Sequence, residues 1–136
     1  MKFSHTVIWL DHKHAVVIGF DSENSHVEHV KSHSDAHLHH RSGSVGSGHA
    51  PVDERYLEAV VSLAGSNSEI LITGPASAKL ELVKHIHKRH QATVERLVGV
   101  ETVDHPSEGQ LLKFARQYFV GADRMRPGTG ISVAPK

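Results

Sequence analysis

Fourteen histidines, set against 15 acidic and 15 basic side chains, are the densest supply of metal-ligating chemistry in this chain of 136 residues. His37, His39 and His40 lie together, with His29, His33 and His49 close by. Neutral imidazole binds zinc, nickel or copper, and a flexible segment of this composition can fold around such an ion. No carboxylate pattern accompanies these histidines, and without cysteine there is no thiolate to join them. A second group, His85, His87 and His90, falls in a segment with helical periodicity. At about 100° per residue, His85 and His87 project roughly 160° apart, which leaves His87 and His90 as the pair able to share an ion. A histidine-rich metal-binding or pH-responsive protein is therefore one alternative function, but the sequence assigns no cofactor.

Carboxylates give a second alternative, a metal-dependent nuclease centred on Asp11. Two-metal hydrolysis needs several acids converging on paired cations. Asp11 ends the first apolar run, and Glu101 and Asp104 follow the last one. The fourth run ends in Thr73-Gly74-Pro75 and adds no acid, so the simpler role for Asp11 is to shape the turn that follows it. In Gly109-Gln110 the glutamine falls three residues after Ser107 at a helix start, the spacing of a capping box rather than of a hydrolytic glutamine. Gly74-Pro75-Ala76-Ser77 lacks the glycine pattern and lysine of a nucleotide phosphate loop and reads as a helix start.

Basic residues form the third signal. Lys79, Lys84, Lys88, Arg89 and Arg96 outnumber Glu81 and Glu95, with histidines interleaved. Arg41 stands among the loop histidines, and Arg124 and Arg126 follow near the C-terminus. Such residues suit contacts to a phosphate backbone without base specificity. The candidate RNA-binding residues are Arg41, His37, His39, His40, His49, Lys84, Lys88 and Arg89. Fixed charges cancel, so protonation of exposed histidines near pH 6.5 would turn the surface positive.

These residues need a scaffold, and the apolar pattern supplies it. Residues 7–10, 15–20 and 26–31 read as three strands joined by connections too short for parallel crossovers, hence an antiparallel meander. Residues 32–50, rich in His, Ser and Gly, form a long loop, expected to be disordered because it buries too little apolar area to offset its ordering cost. A helix then begins near Pro51-Val52-Asp53, with Tyr56, Leu57, Val60, Val61, Leu63 and Ala64 on one face and Gly65 at its end.

Two strand–loop–helix units follow. Ile70-Leu71-Ile72 leads to a helix over 77–90 with Ala78, Leu82, Val83 and Ile86 inward. Leu97-Val98-Gly99-Val100 leads to a helix over 107–119 burying Leu111, Leu112, Phe114, Ala115, Tyr118 and Phe119. The order β-β-β-α-β-α-β-α describes an α/β fold: a five-stranded mixed sheet, three antiparallel strands then two parallel ones, with three helices. This is the RNase-H-like arrangement. The expected spatial order is 3-2-1-4-5, with Ile8, Leu10, Val17, Ile70, Ile72, Val98 and Val100 buried. Residues 1–119 form one domain and 120–136 a tail, a length sufficient for a core without staples. The opening apolar run is too short for a signal peptide and no stretch approaches a membrane span, so the expectation is a cytoplasmic protein.

The stretches Ile8-Trp9-Leu10-Asp11-His12-Lys13-His14-Ala15, ILITGPASAKLELVKHI (70–86) and VGVETVDHPSEGQL (98–111) together resemble the central domain of the archaeal and eukaryotic peptide-release factor and its Pelota relatives. The likeness spans about residues 6–119 and is nearest to short bacterial members labelled translational machinery proteins. In release factors the long loop carries a Gly-Gly-Gln tripeptide that promotes peptidyl-tRNA hydrolysis. Here the loop reads Arg41-Ser42-Gly43-Ser44-Val45-Gly46-Ser47-Gly48-His49, without glutamine. The domains that read stop codons and recruit partners are not expected in a chain of this length. The resemblance therefore implies a translation-associated, non-enzymatic protein whose partner is the ribosome, tRNA or structured RNA, with stress or stasis as its setting.

Overall fold

The computed structural model describes residues 3–32, 53–64 and 68–125. Its strands are β1 (His5–Leu10), β2 (His14–Phe20), β3 (Ser25–Lys31), β4 (Glu69–Gly74) and β5 (Leu97–Thr102). The helices are α1 (Glu54–Leu63), α2 (Ala78–Arg89), the single turn α3 (Gln91–Val94) and α4 (Glu108–Met125). The five strands lie in the order β3-β2-β1-β4-β5. β2 is antiparallel to both β1 and β3, whereas β4 runs parallel to β1 and to β5. This is the mixed sheet that the apolar runs and connection lengths imply.

Aspartate makes both turns of the meander. Asp11 Oδ1 accepts hydrogen bonds from the amides of Lys13 (2.8 Å) and His14 (2.9 Å). Asp21 Oδ1 accepts from Glu23 (2.9 Å) and Asn24 (2.7 Å) in the same way. A short acidic side chain two or three residues ahead of the amides it satisfies is the Asx device for reversing a strand.

One face of the sheet carries Ile8, Leu10, Ala15, Val17, Ile70 and Ile72, which cluster with Tyr56, Leu57, Val60 and Val61 of α1 and Ala78, Leu82 and Ile86 of α2. Each large aliphatic side chain buried there contributes roughly 1.5–3 kcal/mol. On the other face Val7, Trp9, Val16, Ile18 and Leu71 are buried as well. Asp53 caps α1 through Oδ1, which accepts from the amide of Arg55 (3.1 Å). The Tyr56 hydroxyl donates to the Asp11 carbonyl (2.9 Å), tying α1 to the end of β1.

Two burial expectations fail on β5. Val98 is only half-buried, and Val100 is 37% exposed. The pairing register shifts there, with Ile70 opposite Leu97 but Leu71 opposite Gly99, so Val98 is the extra residue of a bulge. Val100, opposite Ile72, sits on the edge strand, which among the described residues has a neighbour on one side only. Leu63 is also exposed, at the last residue of α1.

Contacts divide the chain into two compact units between His105 and Pro106. In the second unit, Ser107 and Gln110 form the expected capping box. The Ser107 amide donates to Gln110 Oε1 (2.9 Å), and the Gln110 amide donates to Ser107 Oγ (3.1 Å). The helix continues to Met125, six residues beyond the expected end at Phe119. Among its described side chains the buried ones are Leu111, Ala115 and Phe119; Leu112, Phe114 and Tyr118, expected to be inside, are half-buried. Among the described residues no helix is long and apolar enough to cross a membrane.

Candidate functional site

Helix α2 carries the basic residues singled out in the sequence. Ala78, Leu82 and Ile86 recur at four-residue spacing and bury one stripe. Lys84, Lys88 and Arg89 are exposed on its remaining surface, with His87 between them. His87, Lys88 and Arg89 occupy the last turn, where cations also complement the negative end of the helix dipole. Arg89 lies 3.7 Å from Glu54, an exposed pair of small energetic value.

Two other cations do not join this surface. Lys79 is 8% exposed, and its Nζ folds back to donate to the Ala76 carbonyl (2.5 Å). Arg96 donates to the Ser68 carbonyl (2.8 Å) and to Thr93 Oγ1 (3.3 Å), bracing the approach to β5. Glu81 is half-buried beside His12 (3.9 Å). Arg41, His37, His39, His40 and His49, with the expected disorder of their loop, lie outside the described residues.

Lys88 and Arg89 border an open groove of about 880 Å³ that also includes Glu54, Arg55, Glu58, His85 and His90. Within it the two imidazoles converge on one carboxylate. His85 Nε2 and His90 Nε2 each lie 2.8 Å from Glu58 Oε1, and the ring centroids are 5.5 Å apart. His85 is 5% exposed, while Glu58 stays open to the groove. The hydrogen bond to His90, then that to His85, holds the Glu58 carboxyl below its ordinary pKa. Helical spacing pointed to His87 and His90 instead. It fails because His90 has left the helix, with φ −137° and ψ 64°, and swings its ring back beside His85. The sequence signal was the four-residue gap between His85 and His90, within the usual zinc-histidine spacing, but nothing local pointed to Glu58.

Asp11 belongs to a different cluster, at the C-terminal ends of the strands. Beyond its two turn amides it faces His14 (Nδ1 to Oδ1, 3.6 Å) and His105 (Nε2 to Oδ2, 3.6 Å). The Trp9 indole N–H donates to the carbonyls of Val103 (3.1 Å) and Asp104 (2.6 Å), and its ring lies 5.1 Å from those of both His14 and His105. Among the described residues, Glu58, His85 and His90 form the one group of three metal-donor atoms all within 4.8 Å of one another, so Asp11, Glu101 and Asp104 do not make a converging set.

Burial raises the Asp11 pKa, but the amides of His14 and Lys13, then the charge of His14 and the His105 hydrogen bond, outweigh it and leave the value lowered. A depressed folded pKa contributes stability that is fully present above the ordinary carboxylate value and is lost as pH falls through the folded value. Urea denaturation between about pH 2 and 5 should therefore show wild type losing more stability than Asp11→Ala as pH drops, since the variant has no such group to protonate. Parallel pH profiles would assign the loss to other carboxylates.

No protein-family model matches the chain, and no curated protein does. Its structure is similar to that of the Pelota protein of Thermoplasma acidophilum, with TM-score 0.56 and 18% identity over 82% of this chain and 31% of that one. The Pelota of Archaeoglobus fulgidus gives TM-score 0.54 and 11% identity, covering 92% of this chain and 35% of the other. The archaeal translation termination factor aRF1 also gives 0.54 and 11%, covering 92% and 41%. The chain thus shares the fold of a part of these proteins, and it spans less than half the length of each.

Proposed function

We propose that this protein is translation-associated and cytoplasmic, and binds the ribosome, tRNA or structured RNA without hydrolysing peptidyl-tRNA. The observation that carries the reading is the fold shared with a translation termination factor. The exposed cations Lys84, Lys88 and Arg89 support it as phosphate contacts. Arg41 and the loop histidines 37, 39, 40 and 49 extend that surface in sequence, and the loop lacks the glutamine of the release reaction.

Co-sedimentation with ribosomes at two salt concentrations and two pH values is the test. Wild type should pellet with ribosomes at low salt, release as salt rises, and bind better below about pH 6.5 as histidines charge. Protein that stays in the supernatant at low salt would leave the shared fold without a shared role. Asp11 serves the turn, so magnesium- or manganese-dependent RNA cleavage is not expected. Cleavage that disappears in Asp11→Ala would replace this reading with the nuclease.

A further inference from the structure

We propose that Glu58, His85 and His90 form a binding site for a divalent transition metal of the zinc type, in the groove between α1 and α2. The three donor atoms come from separate places: the middle of α1, the buried side of α2 and the first residue beyond it. They nonetheless gather within 4.8 Å of one another. Two imidazoles, which are borderline donors, and one harder carboxylate make a ligand set that zinc accepts, and four-coordinate zinc with three protein ligands keeps a position for water. The open side of the groove supplies that position.

The distances suit insertion of an ion. Bonds of about 2.0–2.2 Å in tetrahedral geometry set donors roughly 3.3 Å apart. Both histidine–carboxylate separations are now 2.8 Å, so each pair has to open by about half an ångström. Glu58 is the exposed member and the one free to move, whereas His85 is held by burial. Ion binding places both rings in the Nδ1–H tautomer, with the Nε2 lone pairs turned to the metal in place of the hydrogen bonds to Glu58. Glu58, with Glu54 lining the same groove, partly balances the ion's charge. Arg55, Lys88 and Arg89 line the same groove and oppose a cation, so the site acts through short donor bonds rather than long-range attraction.

Zinc titration of the full-length, untagged protein tests this, in a background where His33, His37, His39, His40 and His49 are all serine so that the loop cannot supply the signal. Calorimetry should show one zinc per chain, and cobalt should give the visible absorption of a tetrahedral site. His90→Ala and Glu58→Ala should each weaken zinc binding at least about tenfold. Zinc should raise the Tm of the background protein and not that of His90→Ala, because an ion bound only to the folded state stabilises it. His90 is partly exposed, so its variant should fold, and its metal-free Tm provides the check. Absence of zinc binding in the background protein, or binding unchanged in both variants, would overturn the site and leave a hydrogen-bonded clamp. Neither result depends on ribosome binding.

Discussion

Replacing Lys84, Lys88 and Arg89 together with glutamate is expected to weaken ribosome or RNA binding on the order of 100-fold at low salt, with the salt slope shallower by about three. The argument is one of count. Each cation that meets a phosphate releases a condensed counterion, so log K falls with log salt in proportion to the contacts made. All three side chains are exposed, and the pair between Arg89 and Glu54 is a weak competitor. Acidic residues in the last turn of α2 oppose its dipole and cost up to about 1 kcal/mol each, so a glutamine triple variant separates lost contacts from a loosened helix. It should lose the same three counterions with less loss of stability. Binding and salt slope unchanged in both variants would remove α2 as the contact surface.

Gly74→Ala should be the most damaging single-methyl change in the sheet, costing about 3 kcal/mol or more and lowering Tm by about 10 °C. A Cβ placed on Gly74 would lie 2.3 Å from the Leu10 carbonyl oxygen. That oxygen is backbone of β1, itself paired to β2 and β4, so it cannot turn aside as a side chain would. The close approach is why glycine stands at the end of β4, where the chain leaves the sheet for α2. Gly109, by contrast, has open space where its Cβ would stand, and Gly109→Ala in the first turn of α4 should be neutral or stabilising. Thermal unfolding of the two variants makes the comparison, and equal Tm values would contradict it.

Much of the architecture was legible because it follows from short-range physics. Three or four residues are too few to cross a sheet, so β1, β2 and β3 had to be antiparallel, and a strand–helix–strand series had to return β4 and β5 in parallel. Asp11 and Asp21 satisfy amides two and three residues away, and Ser107 and Gln110 satisfy each other. Each of these interactions closes within one turn of chain. The surface residues Lys84, Lys88 and Arg89 were legible for a related reason, as they lie off the apolar stripe of one helix.

Residue types and periodicity by themselves determined the five strands and their antiparallel and parallel sense, the two aspartate turns, the capped start of α4 and the basic surface of α2, while the order of the strands followed from the RNase-H-like arrangement. Tertiary structure decided what depends on partners distant in the chain. It engaged Arg96 with the Ser68 carbonyl, 28 residues away, removing a cation that composition had counted. It shifted the register at β5, leaving Val98 and Val100 less covered than their apolar runs implied. It also brought His85 and His90 to Glu58, 27 and 32 residues away. A helical wheel cannot report that meeting, because His90 lies past the helix and Glu58 sits on another one. The backbone turn at His90 and the packing of α1 beside α2 put the three donors in one groove.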